Sequence, residues 1–386
     1  MRINFNLIAL SLLATMLLQA IACEGQTVAK IAAGGYHSLV LKSDGSLWAM
    51  GHNVAGQLGD AATELATNQP EQILAGGVTA IAAGSQHSLF IKSDGSLWGM
   101  GNNFSGQLGD GAIGLATRPE QILPDGVTAI AAGSMHSLFL KSDGSLWGMG
   151  ANTHGQLGAG ENDCLSRPER LIGSGVTAIS AGFFHSVFLK SDGSLWVMGQ
   201  NNYGQLGDGT STDSAHPERI QAGGVVAIAA GGCQTFFIKK NGSLWGMGRN
   251  NWGQLGDGTT TGSNRPEQIV PGDVTAVAVG GFLTLFAKTD GSLWVMGRYG
   301  NGACLDNGYQ TGNLPQQIVP GGVVAIAAGT LHSLFIKDDG SLWAMGENHY
   351  GQLGNETFKS DYDLGKIEPK LVLPAQLTAA RTLARY

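Results

Sequence analysis

Asp143-Gly144-Ser145-Leu146-Trp147-Gly148-Met149-Gly150, followed a few residues later by Gly155-Gln156-Leu157-Gly158, decides how this chain is read. The same words return around Trp48, Trp98, Trp196, Trp245, Trp294 and Trp343, so the frame is written seven times. Neighbouring tryptophans stand 49 or 50 residues apart. A period of that size marks a repeat architecture, and it overrides the two or three domains that 386 residues would otherwise suggest. One such unit cannot bury its apolar face alone, so the units must stack on one another.

Working outward, the unit from Pro70 to Arg118 reads as four short strands. Glu71-Gln72-Ile73-Leu74 follows a proline and ends at Gly76-Gly77. Val78 to Ala83 is small and β-branched, Ser88 to Lys92 alternates, and Ser96 to Met100 carries the tryptophan. Asp94-Gly95 between the last two is a strong hairpin signal, because both central residues of that turn take positive φ. Abundant glycine (61 residues) and sparse charge (13%) suit short strands and tight turns better than long helices. The predicted fold is all-β: a seven-bladed β-propeller of four-stranded antiparallel blades.

The prolines 70, 119, 168, 217, 266, 315 and 369 recur at the start of one strand, which marks it as terminal in its sheet. The link after the tryptophan strand, about seventeen residues containing Gly-Gln-Leu-Gly, is the one long connection and is assigned to the step between blades. On that phase the chain enters at Thr27 to Ile31, and the surplus strand Lys370 to Leu373 is expected to pair with the N-terminal blade and close the ring. The predicted organisation is a leader at 1–22, a propeller at 27–373 and an unassigned tail at 374–386.

The frame Gly-Ser-Leu-Trp-x-Met-Gly-x-Asn-x-x-Gly-Gln-Leu-Gly resembles the repeat of the regulator of chromosome condensation family. His-Ser-Leu upstream fits too, at His37, His87, His136 and His332, with His185 in the same place. The resemblance covers 27 to about 373 and implies a seven-bladed ring; WD40 and kelch signatures fit less well. Repeat 6 departs from the frame: Gly302-Ala303-Cys304-Leu305 replaces Gly-Gln-Leu-Gly, Tyr299 replaces Asn, and Leu283 stands at the histidine position, as Gln234 does in repeat 5. The family's nuclear member implies nucleotide exchange on a small GTPase, through a β-wedge inserted in one blade and a basic tail. The even spacing here leaves no room for a wedge, and the tail has Arg381 and Arg385 but no basic cluster. In style the chain is also similar to a secreted bacterial propeller that inhibits β-lactamases, which implies a protein-binding face.

Residues 1–22 carry Arg2 alone, an apolar run from Leu7 to Leu18, and Ala20-Ile21-Ala22 in the small-x-small pattern of a signal-peptidase site. Export is therefore expected, to the periplasm, the medium or the cell envelope. Cys23 directly after Ala22 resembles a bacterial lipoprotein signal, so plain secretion and a lipid on Cys23 both stand open. Losing the leader takes the formal charge from −7 to −8, and no basic stripe suggests nucleic acid. Cys164, Cys233 and Cys304 fall in different repeats; their disulfide state is open, though a buried inert thiol is expected at Cys304. No Cys/His spacing suggests a metal, and no cofactor is expected.

The recurring histidines and aspartates tempt a catalytic reading. A catalytic site is a single asymmetric constellation, whereas a residue that recurs at one position in several repeats is more simply structural, with imidazole bonded to nearby backbone. Asp60, Asp110, Asp208 and Asp257 after Gly-Gln-Leu-Gly are assigned to turns rather than calcium. Glu161-Asn162-Asp163 is the one local acidic oddity that an enzyme working in the central channel could use.

Informative positions are those that vary inside the constant frame. One set lies in the link: Val54-Ala55, Phe104-Ser105, Thr153-His154, Asn202-Tyr203, Asn251-Trp252, Gly300-Asn301 and His349-Tyr350. A second precedes the frame's Asn: His52, Asn102, Ala151, Gln200, Arg249, Arg298 and Glu347. A third precedes the histidine position: Tyr36, Gln86, Met135, Phe184, Cys233, Phe282 and Leu331. Core packing would hold equivalent sites alike, so their variety suggests loops displayed on one rim. Phe104, His154, Phe184, Tyr203, Arg249, Trp252 and Tyr350 are the candidate contacts, with Tyr203, Trp252 and Arg249 as the expected centre because interface energy concentrates in Trp, Tyr and Arg. The alternative is that the aromatics merely cover gaps between blades. The expected function is that of an exported, monomeric, non-enzymatic module binding another protein; nucleotide exchange and a channel enzyme are the rivals.

Overall fold

Twenty-eight strands form seven antiparallel sheets of four, and no helix occurs among the described residues. The computed structural model describes residues 27–61, 65–160, 164–298, 311–359 and 370–373. The leader with Cys23, Glu161-Asn162-Asp163, Tyr299 through Cys304 and the tail 374–386 lie outside the described residues.

Blade 1 shows the pattern. Val28–Ala33 is the inner strand, then His37–Lys42, Leu47–His52 and, outermost, Ala66–Leu74. The seven inner strands pack side by side right round the ring, which places them at the axis. Only the glycine of the Asp44-Gly45 hairpin is left-handed: Gly45 takes a φ of +79°, and Asp44 is not at positive φ. The turn is therefore not the expected one with two such residues. It spans Lys42 to Gly45, with Gly45 N–H bonded to the Lys42 carbonyl at 3.0 Å. Pro70 sits in the outer strand, at a break in register between Ala49↔Glu71 and Gly51↔Thr67, where its missing N–H disturbs no ladder bond.

The strand phase corrects the sequence reading. Glu71–Leu74 belongs to the tryptophan strand before it (Trp48↔Gln72, Leu47↔Leu74), so the long link runs within a blade and not between blades. The step to the next blade needs only Gly76-Gly77, because Val78 starts beside the previous hairpin, its N–H bonded to the Gly45 carbonyl at 3.0 Å. The link is long because it is a packed element. Leu58 is buried in the seam to blade 2, Asn53 Oδ1 accepts from Leu58 N–H, and Gln57 Oε1 accepts from Ala55 N–H.

Closure differs for the same reason. Lys370–Leu373 pairs with the tryptophan strand of its own blade (Leu342↔Leu373) and not with blade 1. The ring closes without strand pairing, by hydrogen bonds such as Thr330 N–H to the Gly34 carbonyl and by side-chain packing: Val28, Val40 and Met50 of blade 1 meet Leu334, Ile336, Leu342 and Leu353 of blade 7. Each of the other six seams holds an equivalent apolar layer, in which the later blade contributes Trp, Phe and Met. The core is thus seven slabs between blades, the arrangement expected of units that cannot bury their own faces.

Candidate protein-binding face

The two faces of the ring differ in chemistry. One carries the Asp-Gly hairpins, and there every blade is nearly alike. In blade 3, Ser145 donates from its N–H and its hydroxyl to Asp143 Oδ1, and Trp147 Nε1 donates to Ser145 Oγ at 2.8 Å. Hydrogen bonds from serine hold Asp94, Asp143, Asp192, Asp290 and Asp339 below the usual carboxylate range. A lysine lies over the indole in all seven blades, from 3.7 Å (Lys92 on Trp98) to 4.6 Å (Lys337 on Trp343). Uniformity of this kind is structural.

The histidines are structural too, though their partner is not backbone as expected. His37 Nε2 lies 2.9 Å from Ser88 Oγ of blade 2, and Ser88 donates its only hydroxyl proton to the Gln57 carbonyl of blade 1. The serine must therefore accept from His37, which fixes the Nε2–H tautomer and leaves Nδ1 bare. His87, His136, His185 and His332 repeat the bolt to Ser137, Ser186, Thr235 and Ser38. Each ring lies against a glycine: a Cβ on Gly84 would stand 2.3 Å from His87 Cε1. Burial pushes the five histidines down to about 3 (His37, His136) or about 4 (His87, His185, His332), so they are neutral and carry no acid–base chemistry at pH 7. The aspartates after Gly-Gln-Leu-Gly cap turns: Asp110 accepts from Asn103 and from Ala112 N–H. Cys164 and Cys233 are free thiols, and burial pushes Cys233 up.

The other face carries the turns between the first two strands and the long links, and it holds the three variable sets apart from Gly300-Asn301, which lie outside the described residues. The structure brings them together at the seams. A link residue of one blade meets the residue 30 positions later in the next blade, as Ser105 meets Met135, and a third lies 16 positions beyond that, as Asn102 meets Gln86. Tyr350 packs at 5.3 Å on Tyr36 and 4.5 Å on His52. His154 packs at 5.3 Å on Phe184 and bonds Asp213 at 2.8 Å. Arg249 lies 5.1 Å over Tyr203, and Arg298 lies 5.1 Å over Trp252.

The expected centre is therefore regrouped. Arg249 belongs with Tyr203, Trp252 belongs with Arg298, and Phe282 touches both guanidiniums at 5.8 Å. Phe282 and Arg298 belong to the variable sets and join the candidate contacts; the signal that finds them is the recurring offset between seam partners. Phe104 stands apart, 62% exposed and one seam away from His154 and its neighbours. The aromatics do cover seams, yet they remain in reach of solvent, Tyr203 at 42% and Tyr350 at 38%. Among the described residues no cluster of three metal-ligating side chains occurs.

The RCC1-like domain model matches residues 14–309, and the regulator of chromosome condensation (RCC1) repeat model matches 323–352. No curated protein sequence matches the chain. Human WBSCR16 superposes with a TM-score of 0.75 at 24% identity, over 85% of this chain and 94% of its own. Prp20p from Saccharomyces cerevisiae, described with its binding to Gsp1p and histones, reaches 0.67 at 21%, over 78% of this chain and 80% of its own. The ectodomain of the receptor kinase CR4 from Physcomitrella patens reaches 0.52 at 16%, over 83% of this chain and 74% of its own. At such identities the likeness is one of fold.

Proposed function

The chain belongs to the RCC1-like family, and from that premise we propose that it is an exported, non-enzymatic module that binds another protein through its loop-lined face. The observation that carries this reading is the convergence of independently varying positions at four seams of one face, while the opposite face repeats nearly unchanged. A rigid ring that holds Tyr, Trp, Phe and Arg in place loses little ordering entropy on association, and these are the residue types in which interface energy concentrates. Binding of protein partners by Prp20p, and the use of this fold in a receptor ectodomain, support the reading by analogy.

Export rests on residues 1–22, and the lipid rests on Cys23; the protein then acts as a monomer at the cell envelope or beyond it. Cross-linking capture from the envelope fraction, with mass spectrometry of the mature N-terminus, tests both. Replacing Tyr203 and Trp252 together by Ala is expected to weaken the captured complex by more than about 2 kcal/mol while the melting temperature holds. Unchanged capture by that folded variant would remove this face from the proposal.

The family resemblance supports a second reading, nucleotide exchange on a small GTPase. Release of labelled nucleotide from a GTPase by the mature protein is its direct test. The unbroken spacing of the tryptophans, with no inserted wedge, weighs against it.

A further inference from the structure

Two series of hydrogen bonds stitch the blades together near the axis, beneath the loop face. One is the set of histidine bolts, which joins blades 1 to 2, 2 to 3, 3 to 4, 4 to 5 and 7 to 1. The other runs through backbone, from the inner turn of one blade to that of the next. Gly35 N–H donates to the Gly84 carbonyl, Ser85 to Gly133, Ser134 to Phe183, Phe183 to Gly232, Gly281 to Gly329 and Thr330 to Gly34. The seam between blades 6 and 7 thus keeps the backbone stitch without the bolt. Among the described residues, only the seam between blades 5 and 6 has neither: Gln234 stands in place of the bolt, and Gly232 N–H makes no backbone bond to blade 6.

The inner turn of blade 5 is also built differently. Its first strand runs one residue further, to Gly231, which pairs with Gln234, and Gly232 takes a φ of +40°. Gln234 is fully buried with neither amide atom bonded. An unpaired buried amide is penalised only while water is kept from it, so parting the seam at that point relieves the penalty.

The bonds that remain lie away from this inner turn or are weak. At the hairpin face the chain itself crosses, with Val274 N–H on the Gly242 carbonyl at 3.0 Å, and on the outside Gly258 N–H meets the Asn313 carbonyl at 2.7 Å. Thr284 still donates to the Gln254 carbonyl. On the loop face the crossing contacts are cation–π pairs, Arg298 over Trp252 at 5.1 Å and Arg249 over Phe282 at 5.8 Å.

We propose that this seam is a gate: the turn 231–234 swings away from 280–283, hinged at the hairpin face, and Trp252 and Phe282 part as it opens. A partner that touches both lips then selects the shut ring, so binding and closure are linked. The linkage rests on the protein-binding reading above; the gate does not.

Backbone relaxation dispersion on the deuterated mature protein tests it, because that measurement reads exchange on the microsecond-to-millisecond scale. Exchange is expected at 231–234 and 280–283, and not at 133–136, the matching turn of a fully stitched seam. Gln234→His should lower the open population at least about threefold, and Phe282→Ala, which removes contacts from the loop-face clasp, should raise it by about the same factor. Gln234→Leu removes the amide without adding a bolt and should also lower it; circular dichroism melts confirm that each variant folds. Flat profiles across all three turns, or an open population that ignores the variants, would overturn the gate. Envelope capture separates the gate from the reading beneath it. A folded Gln234→His protein that captures less partner than the parent overturns the linkage to the shut ring. Undiminished capture by Tyr203→Ala/Trp252→Ala sinks the binding face, and the linkage with it, while the dispersion result for the gate stands on its own.

Discussion

His332 Nε2 lies 2.9 Å from Ser38 Oγ, joining the last blade to the first with the same bond that joins blade 1 to blade 2. Ser38 in turn donates to the Gln352 carbonyl at 2.8 Å, so the hydroxyl serves both blades at once. Ser38→Ala would leave the buried His332 N–H without an acceptor. The expected cost is about 1–3 kcal/mol, read as a lower urea midpoint with an unchanged slope. A midpoint within error of the parent would mean that the apolar slab alone closes the ring.

The seam between blades 5 and 6 lacks this bond. Gln234 occupies the histidine position, fully buried, and neither atom of its amide finds a partner. Thr284 nevertheless donates to the Gln254 carbonyl at 3.0 Å, just as Thr235 donates to Gln205 at 2.8 Å one seam earlier. An acceptor is therefore waiting, and Gly231 stands three residues before Gln234 as Gly84 stands before His87. Gln234→His is expected to stabilise the protein by about 1 kcal/mol, seen as a raised urea midpoint. Destabilisation would show that the strand has drifted too far for the bolt to form.

Five neutral histidines in the core dictate how the ring responds to acid. Burial depresses their folded pKa values to about 3 or 4 from the ordinary 6.5. Between those limits the unfolded chain binds protons that the folded chain refuses, so stability is fully present above about pH 6.5 and falls as pH drops toward 4. With five protons taken up on unfolding, the slope approaches about 7 kcal/mol per pH unit at its steepest. Urea midpoints should be flat from pH 8 to 7 and collapse below pH 6. Equal midpoints at pH 7 and pH 5 would contradict the assignment of neutral, buried imidazoles.

The repeat made the architecture legible before any coordinate, because a tryptophan and an Asp-Gly turn every 49 residues leave few alternatives. What the repeat could not convey was its phase. Whether Gln72 pairs with Trp48 or with the strand that follows is a matter of hydrogen bonding across Gly76-Gly77, and either grouping has the same periodicity. The loop face was legible position by position from the variable sets, but its contacts were not. Sequence order sets Trp252 beside Arg249, whereas the ring slides each link over the next blade and hands Trp252 to Arg298. The histidine's partner was hidden similarly: Ser137 stands 50 residues from His87, in the following repeat.

Blade 6 is the sector the ring holds least. On one side Gln234 replaces the donor to Thr284; on the other Leu283 replaces the donor to Ser333, whose buried hydroxyl has no partner among the described residues. The apolar slabs on both sides persist, with Phe286, Met296 and Trp294 facing blade 5 and Phe335, Met345 and Trp343 facing blade 6, so the blade is fastened by packing and by bonds to backbone such as Thr284 to the Gln254 carbonyl, but without a histidine bolt on either side. Local opening draws on the elements with the fewest cooperative bonds to their neighbours. Backbone amides of Leu283–Lys288 should therefore exchange with deuterium at least tenfold faster than those of His136–Lys141, the matching strand between two bolted seams. Gln234→His should slow the first set and leave the second alone, because only one of the two seams gains a bond. Uniform protection across the two strands would show that the slabs carry the seams and that the bolts add nothing to their local stability.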